Sequence, residues 1–264
     1  MRITATIISV ITQKGGVGKT TTVNALSAIL TQKGAKVLAV DMDPQGNLSF
    51  SVGADTDNSP TIYDVLKGES DVNETIQSRK ITDIIPANVL LSGIELEFTG
   101  ENREYLLYAE LSKVSENYDY IIIDSPPGLG FFTVNSLTAS DFVIIPMLAD
   151  IFSLQGLTLV HETIDYIKHT INPHIEIAGV LINRYEKKSK LHKEVYGTAN
   201  MICKRLRIPL FDTVIRNSIS LAEAQSLQMN ITDYAKRSTG VKDFLSLVAE
   251  LEANGFVKLP EKEA

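Results

Sequence analysis

The sequence predicts an α/β fold in which a doubly wound, mostly parallel sheet is flanked by helices. Short apolar runs of strand length alternate with longer segments whose apolar residues recur at helical spacing, the pattern typical of strands joined by crossover helices. Two of the predicted strands, ending at Val40 and Ile123, are followed at once by an acidic residue. A third leads into a glycine-rich loop and a helix, the order found in phosphate-binding sites.

Length and composition favour a single domain over residues 1–264. The chain has 264 residues, of which 44% are hydrophobic and 22% charged, enough to bury a large core. It contains neither a signal-peptide pattern nor an apolar run of the roughly 18 to 20 residues that cross a bilayer. Because the single cysteine, Cys203, cannot form an internal disulfide, we expect a reducing cytoplasm. We expect Cys203 to lie on a helix and to be buried by helix packing.

The first strand, loop and helix form one unit. Thr4–Ile11 is a β-branched apolar run that predicts a buried strand. Lys19–Lys33 repeats apolar residues at helical spacing, and Gly34 is a predicted C-terminal cap. The glycine-rich loop therefore ends at a helix N-terminus, where backbone N–H groups and the helix dipole favour an anion.

The loop residues have the chemistry that a nucleotide phosphate requires. Glycines let the backbone approach phosphate oxygens, Lys19 can neutralise charge on the β- and γ-phosphates, and the Thr20 hydroxyl can bind Mg²⁺. Either Thr21 or Thr22 can donate to the α-phosphate. The residues predicted to contact the nucleotide here are Gly15, Gly16, Val17, Gly18, Lys19, Thr20 and Thr21.

An acidic turn follows the second predicted strand, Ala35–Val40. Its sequence, D-M-D-P-Q-G-N, occupies Asp41–Asn47, at the sheet edge where parallel strands place their ligands. Carboxylates repel a triphosphate unless a cation or water lies between, so Asp41 and Asp43 are expected on the water shell of the metal or on the attacking water. The residue types alone fit an ordinary surface turn equally well.

A second acidic turn occupies the end of the strand Ile121–Ile123. Asp124 follows this strand and is predicted to hold Mg²⁺ through Thr20 and water, while the Ser-Pro-Pro-Gly turn after it faces the γ-phosphate. An isolated acid after an apolar strand is a weak signal. Its pairing with Lys19 and Thr20 in one chain makes it specific.

The remaining elements complete the alternation. The pattern predicts a short helix at Thr61–Gly68, an edge strand at Lys80–Pro86, strands at Phe142–Pro146 and Ile175–Asn183, and helices at Glu101–Asn117, Val134–Ala139, Leu154–Thr170, Leu191–Leu206 and Thr239–Asn254.

The loop Lys14–Thr20, K-G-G-V-G-K-T, carries a second lysine, and Gln13 stands where the usual phosphate loop has its first glycine. It resembles the deviant Walker A loop of the ParA, Soj and MinD family of nucleotide-dependent ATPases. The resemblance runs from about Ile7 to Leu251 and includes both acidic turns, the stretch Thr133–Gly156 and the block Val214–Ser226. It implies a P-loop NTPase fold of the deviant Walker type, with ATP and Mg²⁺ as cofactors.

The resemblance also implies roles for single residues. Lys14 corresponds to the signature lysine that reaches the nucleotide of the partner subunit, although a lone lysine is more often a solvated loop cation. Asp43 corresponds to the hydrolytic residue, and Asn217 lies where the related proteins bind the adenine. Asp150 stands where the family often has an acid, and a helix cap explains it at least as well.

The implied function is DNA partition, with a homodimer formed on ATP binding, a ParB-type adaptor protein and non-specific DNA as partners, in the cytoplasm at the nucleoid. The net charge of −7 argues against nucleic acid, but basic residues cluster between Arg184 and Arg207. Such a cluster is usually a solvated face. In the block Val214–Ser226 the second arginine of the family pattern falls on Ser220, and Arg216 comes one position early. The candidates for DNA contact are Arg184, Lys187, Lys188, Lys190, Lys193 and Arg216.

Two other functions stay open. A relative with the same chemistry can position a protein cargo instead of DNA, and a nucleotide-gated module can bind ATP and sequester a partner with little turnover. A membrane is not expected as a partner, because the final residues, K-L-P-E-K-E-A, contain a proline and two acids where MinD-like relatives have a basic amphipathic helix. The beginning of the chain resembles the short type of the family, without an operator-reading domain.

Overall fold

The computed structural model describes residues 4–260, with Leu96 described by its backbone only. In this part of the chain, eight strands form one sheet with helices on both faces. The strands are β1 (Thr6–Val10), β2 (Val37–Asp41), β3 (Gln77–Ser78), β4 (Asp83–Ile85), β5 (Tyr120–Asp124), β6 (Phe142–Leu148), β7 (Glu176–Tyr185) and β8 (Leu210–Arg216).

The helices follow the strands in the alternation that the sequence predicts. They are α1 (Lys19–Gln32), α2 (Asn47–Ser51), α3 (Ile62–Leu66), α4 (Val72–Thr75), α5 (Ile94–Glu97), α6 (Leu106–Ser112), α7 (Phe131–Ala139), α8 (Ile151–Thr170), α9 (Lys190–Leu206), α10 (Ile219–Ser226), α11 (Ile231–Tyr234) and α12 (Thr239–Ala253). Turns of 3₁₀ helix occupy Val89–Gly93, Arg103–Tyr105 and Ser115–Asn117.

The strand order places the first strand at the centre of the sheet. The order is β3-β4-β2-β5-β1-β6-β7-β8, and every neighbouring pair except β3–β4 is parallel. In register, Val10 lies opposite Asp124, and Asp124 lies opposite Asp41. The ends of β1, β5 and β2 therefore meet at one edge. This arrangement confirms the predicted α/β fold with a doubly wound, mostly parallel sheet.

The core lies on both faces of the sheet, as the continuous apolar strands require. On one face, Ile8 and Val10 of β1 belong to a buried cluster with residues of α1 and α12. On the other face, Ile7 belongs to a cluster that includes Phe131 and Phe132 of α7. A third cluster joins β6 and β7 to α8 and α9, with Cys203 buried in α9 as predicted. Burial raises the pKa of the Cys203 thiol to about 11.

Several local predictions are confirmed. Helix α1 ends at Gln32, and Gly34 adopts the left-handed conformation, with φ of 95°, while Ala35 N–H donates to the Leu30 carbonyl in the C-terminal cap. Thr61 caps α3 through a capping box with Asp64.

Two predictions are wrong, and two strands, β3 and β8, were not predicted. The segment Lys80–Pro86 contains β4, which is not at the edge, because Gln77–Ser78 pairs antiparallel outside it. The helix expected over Glu101–Asn117 is broken into α6 and two 3₁₀ turns, after Asn102 adopts a φ of 61°. Strand β8 was not predicted, since its partly buried residues lack a strong apolar pattern.

The ends of the chain bear on two expectations. Ile3, which precedes the first predicted strand Thr4–Ile11, and residues 261–264 of the charged tail lie outside the described residues. Within residues 4–260, no helix combines the length and the apolar character needed to cross a bilayer.

The contact between Gly179 of β7 and the Phe211 ring of β8 gives a test of the packing. A Cβ at Gly179 would lie 2.7 to 2.9 Å from three ring carbons of the buried Phe211. We predict that Gly179→Ala lowers the free energy of unfolding by about 1 to 3 kcal/mol in urea denaturation, because a packed core resists added volume. Gly197→Ala, in helix α9 with nothing within 4 Å of its Cβ, is the control and should not destabilise. Equal stability of the two variants would contradict the packing argument.

Candidate functional site

The glycine-rich loop lines a cavity of about 470 Å³ at the carboxyl edge of the sheet. Gly16 and Gly18 have φ of 73° and 96°, so the backbone turns through conformations that side chains disfavour. Gly18 is the N-cap of α1, which places the first N–H groups of that helix at the cavity. The lining includes Gly15, Gly16, Gly18, Lys19, Thr20, Thr21, Asp43 and Pro127.

Thr20 and Asp124 meet beside this cavity. The Thr20 hydroxyl donates to Oδ2 of Asp124 at 2.6 Å. Oδ1 of Asp124 is buried and has no hydrogen-bond partner among the described residues. Burial, and then the nearby Asp41 carboxylate, raise the pKa of Asp124 well above its usual range. A hydroxyl and an unsatisfied carboxylate oxygen are the ligands that a magnesium ion takes at such a site, so these residues fit the predicted ion.

Asp41 is engaged within the chain. Its Oδ2 accepts hydrogen bonds from the N–H and the hydroxyl of Ser49, at 2.8 and 2.7 Å, and its Oδ1 accepts from the N–H of Asp43 at 3.1 Å. Burial raises the pKa of Asp41 to about 6. These bonds tie the acidic turn and α2 to the end of β2. The role of Asp41 in the water shell of a metal stays a prediction.

Asp43 and Lys19 line the same cavity. Both residues are 7% exposed. Burial lowers the pKa of Lys19, against the attraction of Asp124 and Asp43. Three carboxylates, those of Asp41, Asp43 and Asp124, thus share this edge with the Lys19 ammonium. An additional cation would relieve their mutual repulsion, which agrees with the unsatisfied oxygen of Asp124.

Lys14 is held by Asp150 in the described chain. Lys14 Nζ lies 2.9 Å from Asp150 Oδ2 and 5.6 Å from the centroid of the Phe152 ring. Asp150 also accepts from Ser153 N–H at 2.7 Å and caps α8, which confirms the helix-cap interpretation. Burial opposes ionisation of Asp150, but the bonds from Lys14 and Ser153 outweigh it and lower its pKa. The role of Lys14 toward a partner subunit is not tested by this geometry.

A second pocket, of about 240 Å³, adjoins the loop on the side of Val17 and contains Asn217 in its lining. Sequence reasoning missed a further residue here, Asn183 at the end of β7. Asn183 is 5% exposed and donates from Nδ2 to the Val17 carbonyl at 2.8 Å, while its Oδ1 has no partner among the described residues. A Cβ at Gly18 would lie 2.7 Å from Nδ2. The available signal was a polar residue closing the apolar run of β7.

Comparison with known proteins decides the family. The model of the AAA_31 family, an AAA domain, matches residues 5–177. The sporulation initiation inhibitor protein Soj of Bacillus subtilis is 39% identical over 94% of this chain and 99% of its own length. The chromosome-partitioning ATPase Soj of Treponema pallidum is 35% identical over 92% of this chain and 95% of its own length.

The chain belongs to the Soj/ParA family. Among solved structures, cobyrinic acid a,c-diamide synthase of Mycobacterium smegmatis with a bound ATP analogue and magnesium has a TM-score of 0.82 and 30% identity, covering 97% of this chain and 98% of that one. The resemblance drawn from the phosphate loop and the acidic turns is therefore confirmed at the level of family and fold.

In this Soj/ParA chain, the basic residues between Arg184 and Arg207 lie in three places. Lys187, Lys188, Lys190 and Lys193 are exposed around the N-terminal end of α9, whereas Lys204, Arg205 and Arg207 lie at its other end. The helix has 17 residues, so the two groups are separated by roughly 25 Å at about 1.5 Å per residue. Arg184, with a φ of 52°, lines both the loop cavity and the second pocket.

Arg216 is paired with an acid of α12. Its Nη2 lies 2.6 Å from Asp243 Oδ1, and its Nε donates to Asp243 Oδ2 at 2.9 Å. The hydrogen bond that Arg216 donates to the Asp243 carboxylate raises the pKa of Arg216. A guanidinium that is already paired with a carboxylate is less available to a DNA phosphate than the exposed lysines near the N-terminal end of α9. The DNA contact of Arg216 stays a prediction.

The Asn183 contact gives a test of the loop's support. Asn183→Asp is nearly isosteric, but it places a carboxylate oxygen against the Val17 carbonyl, where the amide group donated. We predict a loss of about 1 to 3 kcal/mol in the free energy of unfolding, measured in urea. Asn200→Asp, on α9, adds the same charge where the side chain makes no hydrogen bond to the described residues, and it is the control. A loss of equal size in both variants would show that the added charge, and not the lost contact with the loop, lowers the free energy of unfolding.

Proposed function

We propose that this chain is an ATP-hydrolysing partition ATPase that binds ATP with Mg²⁺, dimerises and then coats DNA non-specifically. The observation that carries the proposal is the Thr20–Asp124 pair at 2.6 Å beside a glycine loop at a helix N-terminus. The names of its Soj relatives, which include a chromosome-partitioning ATPase, support the same function. We treat residues 1–264 as one ATPase domain.

Phosphate binding follows from the loop. Its N–H groups and the dipole of α1 hold the phosphates, and Lys19, which lines the same cavity, supplies a positive charge to them. Thr20 and Asp124 hold the metal, and Asp41 keeps the acidic turn in place. When bound, Mg²⁺ neutralises charge on the β- and γ-phosphates.

Hydrolysis requires a positioned water and a further positive charge. Asp43 lines the cavity with its carboxylate and is the residue that we assign to the attacking water. Lys14 is assigned to the nucleotide of a second subunit, which requires it to leave Asp150. A cation supplied in trans is worth roughly 10³ to 10⁵ in rate, or about 4 to 7 kcal/mol. Dimerisation and turnover are therefore coupled.

The second pocket is assigned to the adenine. It is continuous with the loop through Val17, Gly18 and Thr21, and it presents Asn183 and Asn217. The unpartnered Oδ1 of Asn183 can accept a hydrogen bond from an exocyclic amino group, as on adenine. A buried acceptor left without a donor is costly, so a base without that amino group is disfavoured.

DNA binding is assigned to exposed lysines just before α9 and in its first turn. Lys187, Lys188, Lys190 and Lys193 follow β7, which is parallel to β1 and β6 and so ends at the edge of the sheet that holds the glycine loop. Phosphate contacts of this kind carry no sequence information. The cycle ends when a ParB-type adaptor stimulates hydrolysis and the dimer leaves the DNA. The chain is then a nucleoid-associated cytoplasmic protein without a membrane partner.

Lys14→Ala tests the role of Lys14 in trans. We predict a fall in ATP turnover of about 10³-fold, since the cation supplied by the partner subunit is lost. The Kd of the monomer for ATP should change by less than about threefold, because Lys14 contacts Asp150 and does not line the cavity. Steady-state hydrolysis and a fluorescent-nucleotide titration measure the two quantities. Lys33→Ala, an exposed lysine beyond α1, is the control. Equal losses of binding and turnover would refute the assignment.

Asp43→Ala separates nucleotide binding from hydrolysis. The variant should bind ATP and dimerise, yet turn ATP over at least about 100-fold more slowly, since no other carboxylate is assigned to the water. Its binding to random-sequence duplex DNA is measured with ATP, with ADP and without nucleotide. Binding that requires ATP, and whose log affinity falls with log salt at about 0.9 per phosphate neutralised, supports partition on DNA.

The DNA surface has its own control in α9. The double change Lys187→Ala and Lys188→Ala should weaken ATP-dependent DNA binding, whereas Lys204→Ala and Arg205→Ala remove the same charge at the other end of the helix and should not. ATP-dependent dimers of Asp43→Ala that bind no DNA in any state would instead favour the positioning of a protein cargo.

A further inference from the structure

Helix α7 begins directly after the turn that faces the nucleotide cavity, which we call the proline turn (Ser125–Gly130). Pro127 of this turn lines the cavity, and its Cβ is 4.0 Å from the position of a Cβ on Gly15. The turn is bound to α7 at two points. The Thr133 hydroxyl donates to the Gly128 carbonyl at 2.9 Å, and the Ser125 hydroxyl donates to the Ser136 hydroxyl at 2.9 Å. The turn and the first half of α7 are thus connected as one unit.

The N-terminus of α7 is capped from a distant part of the chain. Its N-cap is Gly130, which has no side chain to accept from the free N–H groups of the first turn. The carboxylate of Glu95, in α5, accepts from the Phe131 N–H at 3.1 Å. A carboxylate at this end of a helix also interacts favourably with the helix dipole. The cap spans 36 positions in sequence, so it joins α5 to the proline turn.

The close approach of Glu95 to Gly130 agrees with this hydrogen bond. A Cβ on Gly130 would lie 3.3 Å from Glu95 Oε1, so a larger residue there would push the carboxylate away. Gly130 has φ of −86°, which any residue can adopt, so the close approach of Glu95 rather than backbone conformation favours glycine. A separate link holds α7 to the segment that follows α5, since Asn135 of α7 donates to the Arg103 carbonyl at 3.1 Å and accepts from the Leu107 N–H of α6 at 3.2 Å.

We propose that Glu95 is a positioning residue that sets the resting geometry of the proline turn, and through Pro127 the shape of the cavity where the γ-phosphate binds. Glu95 is exposed and is not part of the lining of either the loop cavity or the second pocket. It therefore acts on turnover without touching the nucleotide. This inference rests on the ATPase activity proposed above.

The first test compares charge and position within one region. Glu95→Ala should lower kcat for ATP by about threefold to tenfold, because small misplacements at a reacting centre are costly, with the nucleotide Kd changed by less than twofold. Glu95→Gln keeps an acceptor for the Phe131 N–H but loses the charge and should fall between. Glu101→Gln removes the same charge from an exposed position and should match the parent protein. A kcat of Glu95→Ala equal to that of Glu101→Gln would overturn the proposal, as would equal losses of kcat and binding.

The second test needs no hydrolysis. Amide hydrogen exchange at the start of α7 should accelerate at least fivefold in Glu95→Ala and remain unchanged in Glu101→Gln. Gly130→Ala should accelerate the same amides, and the double variant should exchange no faster than Glu95→Ala alone, because both changes break one contact. If the parent protein fails to hydrolyse ATP, the proposed function is wrong, and exchange alone then decides whether Glu95 holds the turn. Unchanged exchange in Glu95→Ala would refute the proposal.

Discussion

The hydrogen bond between the Thr20 hydroxyl and the Asp124 carboxylate is the contact on which the site depends. It joins the first turn of α1 to the end of β5, and β5 is the neighbour of β1, the strand that precedes α1, only because the sheet is doubly wound. The parallel register puts Val10 opposite Asp124 and so brings the glycine loop to the acid. Asp41 then aligns with Asp124 on the next strand, which completes a line of groups across one edge of the sheet.

The balance between three carboxylates and one ammonium group determines the electrostatics of this sheet edge. Three buried or nearly buried carboxylates face Lys19, and burial raises the pKa of Asp124 and Asp41 while it lowers that of Lys19. The repulsion is reduced by internal donors at Asp41, such as the Ser49 hydroxyl, but not at Oδ1 of Asp124. The second lysine of the loop is meanwhile engaged by Asp150. The described chain therefore keeps a site suited to a cation, while Lys14 is paired with Asp150.

The turn after Asp124 is supported from outside the site. Pro127 lines the cavity, and Thr133 and Ser136 of α7 form hydrogen bonds with the turn. Glu95 caps α7 from a segment for which the sequence predicted no function. The acidic turn after β2 is held in a related way by Ser49 of the following helix. Both turns at the nucleotide cavity thus depend on polar contacts from the helices that follow them.

The sequence by itself determined the central strands, the helix after the loop, the caps at Gly34 and Thr61, and the residues of the two acidic turns. These features depend on local period, residue type and short-range hydrogen bonds, which the order of residues expresses directly. Only the tertiary structure decided which groups meet: Asp150 with Lys14 at 136 positions, Asn183 with Val17 at 166, Asp243 with Arg216 at 27 and Glu95 with Phe131 at 36. Likewise, the short strand β3 took the sheet edge expected for β4, because strand pairing is set by packing and not by local pattern.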